Sequence, residues 1–328
     1  MSLKCPFTNF MAGAVSVGVS IYLANYLRRD VDPLEIPAEL LKGTSYKEEL
    51  KVAVRAALAA GANMQREIGM SVKNDVQTKF NSIDFATETD RANEKLIFDM
   101  LKQRFPQGHV FIGEESSAEN DDIPALTSDP TWIVDPIDGT TNFVHSFPLS
   151  CVSIGLCVAG EPVLGVVYCG STRELFLAAK GSGAFLNGSR ISVSAAKSLP
   201  EALVLTEFGY SREAKNVDKW LSTARTVVLA GAHGLRSLGS GVIDLCYIAA
   251  GRVDAGYAGV SEEGWKPWDY CAGAVILTEA GATLTDIRGD RFDLYGDSIL
   301  TAATPELAKE LLGTLQEAQK VKYQIVKA

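Results

Sequence analysis

Glu114 in the run GEES at 113–116, Asp135 and Asp138 in WIVDPIDGTTN at 132–142, and Asp269 in the pair WD at 268–269 are residues whose type and spacing could do chemistry. Gathered around one pocket, they would form an anionic cage built only from oxygen, the donor set that hard divalent cations such as Mg²⁺ take. Pro136 fixes its own φ and lacks an amide hydrogen, so the chain must turn between the two aspartates. Such a turn can aim both carboxylates, and the Ile137 carbonyl between them, at one point. The apolar run 132–134 before it reads as a buried strand, and Gly139, Thr140 and Thr141 after it offer amides and hydroxyls at a helix start, an environment suited to phosphate oxygens. Pro-x-Asp-Gly alone is an ordinary turn. Strand, aspartates and hydroxyl pair in this order are what metal-assisted phosphoryl chemistry requires.

The stretch WIVDPIDGTTNFVH at 132–145, with GEES at 113–116 and WDYCAGAVILTEAGA at 268–282, resembles the inositol monophosphatase family of Mg²⁺-dependent, lithium-sensitive phosphatases. The similarity extends over about residues 46–316. It implies that Glu114, Asp135, the Ile137 carbonyl, Asp138 and Asp269 bind two or three Mg²⁺ ions, with Glu114 and Asp135 on one and Asp135, Asp138 and Asp269 on another. It further implies that Thr140 holds the attacking water with Asp90 as its acidic partner, and that Lys79 belongs to a mobile loop over the metals. On the substrate side, Glu114, Ile137, Asp138, Gly139, Thr140 and Asp269 would meet phosphate and its ions; Gly239, Ser240 and Gly241 would line the alcohol portion, and Glu262 would accept ring hydroxyls. Ser240-Gly241 and the segment 262–267 depart from the commonest animal pattern, which bears on the alcohol rather than the chemistry.

The resemblance points to Mg²⁺-dependent hydrolysis of a small polyol phosphate, foremost myo-inositol monophosphate. Alternatives within the superfamily are a sugar phosphate, histidinol phosphate, fructose 1,6-bisphosphate or a 3′-phosphonucleotide; a non-catalytic scaffold is the alternative from another class. A phosphate monoester is a dianion and the formal charge of the chain is −9, so cations must reverse the local sign before substrate binds. The acidic balance and the absence of a basic stripe argue against nucleic acid as partner. The family implies a homodimer.

The 328 residues, 47% hydrophobic and 22% charged, suffice for a large core. Six cysteines without CxxC spacing, several in apolar runs, read as buried free thiols in a reducing compartment. His109, His145 and His233 lack metal-ligand spacing and read as structural. Asp244, an acid on an apolar helix, would either pair with Arg236 or reach substrate.

Residues 1–43 read as an N-terminal extension, 44–320 as the phosphatase domain and 321–328 as a tail. The uncharged run 10–27 is at the lower limit for crossing a bilayer; it either anchors or targets the chain or packs as a helix, and Arg28-Arg29 would keep the catalytic part cytoplasmic if it spans. Residues 32–37 then read as an extended linker.

The elements that must position the carboxylates follow from periodicity. Ser45 and Glu48 predict a capping box, followed by a helix with Leu50, Val54, Leu58, Gly61, Met64 and Ile68 on its buried stripe. A second helix begins near Thr89, with Asp90 in its first turn. Alternation predicts an antiparallel meander through 151–158, 163–168, 174–179 and 181–185, with further strands at 203–206, 227–229 and 299–303. Helices are predicted at 241–250, from Asp269 to Gly281, and after Thr304-Pro305. The order of elements permits, and the resemblance implies, a layered αβαβα sandwich.

Overall fold

The computed structural model describes residues 35–68, 77–78, 85–86, 88–120, 122–261 and 264–320, and all the elements below belong to one compact unit, Ile36–Ala328. The segment 10–27, Lys79, Glu262 and the tail 321–328 lie outside the described residues. Among the described residues no helix is long and apolar enough to cross a membrane.

Seven strands form the larger sheet: β3 (Val110–Gly113), β4 (Thr131–Asp138), β5 (Cys151–Val158), β6 (Glu161–Cys169), β7 (Glu174–Ala179), β8 (Ala184–Leu186) and β9 (Ser189–Ile191), in that spatial order. β3 and β4 are parallel, and every later pair is antiparallel, giving the meander read from the alternation. The smaller sheet has the order β11 (Gly234–Arg236), β10 (Leu203–Thr206), β12 (Ala255–Ala258), β14 (Ile299–Ala302), β13 (Thr283–Thr285). Two-residue strands β1 (Gln77–Thr78) and β2 (Phe85–Ala86) pair separately.

Helices fill the layers around these sheets. α2 (Lys47–Glu67) and α3 (Glu88–Arg104) pack together on the outer face of the larger sheet. α7 (Gly241–Ala249) and α8 (Pro267–Ala280) lie between the two sheets, and α6 (Ala214–Leu229) and α9 (Pro305–Lys320) cover the far face of the smaller one. Three helices are short: α1 (Ala38–Gly43), α4 (Glu114–Asn120) and α5 (Thr140–Val144). The result is the αβαβα order. Leu40 of α1 is buried and Glu39 pairs with Arg190 at 2.6 Å, so this helix is fixed to the larger sheet.

α8 is buried along most of its length, from Trp268 to Ala280, and therefore shows almost no amphipathic signal. It can sit this deep because Gly155 and Gly165 bare the sheet beneath it. A Cβ on Gly165 would collide with the Ala272 carbonyl, and one on Gly155 would collide with Cys271. The seat holds the first turn of α8, and with it Asp269, against β5 and β6.

Two local expectations fail. Val227, Val228 and Leu229 do not form a strand; they are the last turn of α6, with Val227 buried and the other two exposed. Their β-branched character is overridden by a helical register that places Thr223, Ala224 and Val227 on the buried face. The capping box at Ser45 does not form either. Tyr46 occupies the N-cap position, its amide donates to Thr44 Oγ1 at 3.0 Å, and Glu48 turns outward to Lys51 at 2.9 Å. The five described cysteines, Cys151, Cys157, Cys169, Cys246 and Cys271, are buried free thiols.

Candidate active site

β4 carries two aspartates three positions apart, which in a regular strand would point to opposite faces. Here they do not. Asp135 pairs with Ser153 and Asp138 with Cys151, so three steps along β4 are matched by two along β5, across a bulge. The extra residue restores both carboxylates to one face, the face covered by α8. Pro136, which cannot donate to the ladder, sits inside the bulge. The Ile137 amide donates to Asp135 Oδ1 at 3.0 Å, closing the turn locally.

Asp269 reaches the same face from the first turn of α8, where the Lys266 amide donates to its Oδ2 at 2.6 Å. One oxygen each from Asp135, Asp138 and Asp269 lie within 4.8 Å of one another. Residues from β4 and from a helix over a hundred positions later thus converge as the sequence implied. Glu114 begins α4 directly after β3, and the register Gly113↔Val134 brings it out beside Asp135. Its charge acts on Asp138.

Asp138 is 7% exposed, and burial pushes its carboxyl up to about 6, with donors working the other way. Three of them converge on Oδ2: the Ser240 hydroxyl in a short hydrogen bond, the Val242 amide at 3.0 Å and the Cys151 thiol at 3.7 Å. These contacts leave Oδ1 for a cation. A largely buried, all-oxygen set of three carboxylates, with burial and the Glu114 charge both raising the Asp138 carboxyl, fits a hard divalent cation, which would keep all three ionised.

Thr140 opens α5 behind Gly139, which adopts φ +78°, a conformation a glycine accepts without strain. The Thr140 hydroxyl lies 3.0 Å from the Ile137 carbonyl and 3.4 Å from Asp90 Oδ1. Its single proton can serve only one of them at a time. Asp90 is fully buried in the first turn of α3. Gly139 also abuts the Gly239 carbonyl and Ser240, where a Cβ would meet them at 3.0 and 3.1 Å. The Asn142 amide ties the two loops together by donating to the Leu149 and Leu238 carbonyls, each at 2.7 Å. Gly241 lies against the Trp265 ring, leaving no room there for a side chain.

Several contributions were not read from sequence. Glu207 accepts from Ser237 Oγ at 2.9 Å, the Leu238 amide at 2.7 Å and the Gly239 amide at 3.0 Å, and so fixes the loop that delivers Ser240. Asp244 does not pair with Arg236: it faces Glu207, and burial with that neighbouring charge pushes its carboxyl well above the usual range. Arg236 is exposed and donates to the Leu235 carbonyl at 2.9 Å. His109 accepts from the Trp132 indole at 3.0 Å and stacks on Phe105, a packing role.

Known proteins place this geometry. The model of the inositol monophosphatase family matches residues 45–320. The chain belongs to that family. Inositol monophosphatase 1 of Solanum lycopersicum is 43% identical over 288 residues, covering 86% of this chain and 100% of the tomato protein. Inositol monophosphatase 2 of Homo sapiens is 40% identical, covering 83% of this chain and 91% of the human one. Among solved structures, inositol monophosphatase from Anabaena superposes with a TM-score of 0.70 at 32% identity, covering 84% of this chain and 97% of its own. The extragenic suppressor protein suhB of Bartonella henselae does so with a TM-score of 0.73 at 34% identity, covering 82% and 99%. In this family the acidic cluster implies a divalent metal.

Proposed function

We propose that this chain hydrolyses a small polyol phosphate, foremost myo-inositol monophosphate, to the free alcohol and phosphate, with Mg²⁺ as cofactor in two or three sites. The observation that carries the reading is the convergence of Asp135, Asp138 and Asp269 within 4.8 Å in a chain of this family. Asp135, Asp138 and Asp269, with Glu114 and the Ile137 carbonyl, would hold the ions. When bound, such ions supply positive charge to the phosphate dianion and acidify a water.

The chain's own residues then orient the reaction. Asp90, buried 3.4 Å from Thr140, would accept the hydroxyl's hydrogen bond, leaving the Thr140 oxygen to accept from a water and hold it in line with phosphorus. Thr140 needs no basicity for this; position is enough in a reaction governed by orientation and electrostatics. Gly139 offers its backbone where a side chain would intrude on Gly239 and Ser240, and these two with Gly241 would line the alcohol portion. Gly241 carries no side chain and Trp265 fills the space beyond it, so this wall is flat and aromatic. Glu262 and Lys79 would complete the substrate and loop contacts.

A panel of inositol phosphates, sugar phosphates, histidinol phosphate, fructose 1,6-bisphosphate and 3′-phosphonucleotides, assayed with and without Mg²⁺ and with added Li⁺, tests the reading. Mg²⁺-dependent, Li⁺-inhibited release of phosphate from inositol monophosphate is expected. No turnover of any inositol phosphate would defeat the assignment. The family reading also carries a homodimer, to be checked by light scattering, and Arg28-Arg29 would keep the catalytic domain cytoplasmic if 10–27 spans; fractionation of the full chain against one lacking residues 1–34 tests anchoring by 10–27.

A further inference from the structure

We propose that Glu94, which belongs to no ligand set, is the positioning residue that holds Glu114 at the acidic cluster. The inference rests on the reading of Glu114 as a metal ligand. Glu94 lies in α3 and is 6% exposed. Its Oε2 accepts from the Glu115 amide at 2.8 Å and its Oε1 from the Ser116 amide at 3.0 Å. Both carboxylate oxygens are thus spent on the two amides that follow Glu114, and the backbone on that side of the ligand cannot rotate without breaking them.

The side before Glu114 is fixed as well. Gly113 is paired with Val134 in the parallel register of β3 and β4. It must be glycine for Glu94 to enter: a Cβ there would collide with the Glu94 carboxylate and stand 2.9 Å from the Phe98 ring. Glu114 is therefore clamped between a sheet register and a buried carboxylate. Asp90 and Glu94 are one helical turn apart on the inward face of α3, so a single face meets Thr140 through one acid and the Glu114 turn through the other.

The clamp answers an electrostatic difficulty. Glu114 repels both Glu94 and Asp138. A freely rotating Glu114 would swing away from the cluster in the absence of metal, and closing it again would cost ordering entropy on binding. Supporting groups of this kind change metal affinity by about 10–100-fold when removed.

The test is Mn²⁺ binding by titration calorimetry on the full chain, with circular dichroism as the check of fold. Glu94→Gln replaces one acceptor oxygen by an amide group that faces a backbone N–H, and is expected to weaken Mn²⁺ about tenfold. Glu119→Gln, on α4 with Glu114 but 66% exposed, should bind as the wild type does. Loss of packing alone would lower the thermal midpoint yet leave the affinity of the folded protein unchanged, and unchanged affinity in folded Glu94→Gln overturns the proposal. Glu114→Gln separates the two ideas: if it too binds normally, the ligand reading fails; if it weakens binding while Glu94→Gln does not, only the clamp fails. Should Glu94→Gln not fold, amide exchange in the metal-free wild type decides. Slow exchange at Glu115 and Ser116 supports the clamp, and exchange at unprotected rates rejects it.

Discussion

The Ser240 hydroxyl donates to Oδ2 of Asp138, joining residues 102 positions apart and binding the start of α7 to the bulge of β4. Ser240 is also the N-cap of α7, accepting from the Ile243 amide at 3.4 Å. One small side chain therefore closes a helix and sets the plane of a buried carboxylate. Ser240→Ala should lower kcat about tenfold and weaken Mg²⁺, whereas Ser240→Thr, which keeps the hydroxyl, should stay close to wild type. Steady-state kinetics over a Mg²⁺ series measures both.

Burial holds the Asp138 carboxyl at about 6 in the metal-free protein, above its ordinary 3.8. A proton competes with a cation for this group, so apparent Mg²⁺ affinity should fall as pH drops below about 6 and level off above it. Calorimetry in buffers of different ionisation heat should show proton release on metal binding at pH 5.5 that is absent at pH 8. For folding the sign is opposite to that of a salt-bridged acid. The raised group favours the metal-free fold at low pH, and that contribution is lost as pH rises through about 6.

Thr140→Ala removes the oxygen held between the Ile137 carbonyl and Asp90 without touching the acidic cluster. Turnover should drop by about 100-fold with Mn²⁺ affinity kept. Asp138→Asn should lose both turnover and metal. Equal effects of the two variants on metal binding would reject the division of roles.

Gly165→Ala would drive a methyl group into the Ala272 carbonyl of α8. We expect a loss of about 1–3 kcal/mol in urea denaturation, the range for overpacking a filled core. Because Asp269 rides on the displaced helix, Mg²⁺ affinity should fall with it.

Much of this was legible in the residues, and the limits have physical reasons. The acidic motifs could be read because metal chemistry restricts residue type at short spacing, and the meander because alternation records which face of a strand is buried. Asp269 is reached only through the family resemblance of the run 268–282, because an aspartate at a helix start is equally an ordinary cap. The supports could not be read. Ser240, Glu207 and Glu94 act through contacts between elements remote in sequence, and a glutamate on a helix looks the same whether it is solvated or clamps two amides. The misread segment 227–229 has the same origin: three residues of strand character were outweighed by the helix already running through them. Asp244 shows the limit most plainly, since its neighbour Glu207 has the same charge and no pairing rule would suggest it.

The bulge in β4 also governs how this segment can change over descent. Deleting one residue between Asp135 and Asp138 would leave the acids two positions apart and on one face of a regular ladder, but it would remove the bulge and with it the turn that the Ile137 amide closes onto Asp135. The turn, rather than the shared face alone, needs the extra residue, so the length of this motif should resist drift even where its apolar letters do not.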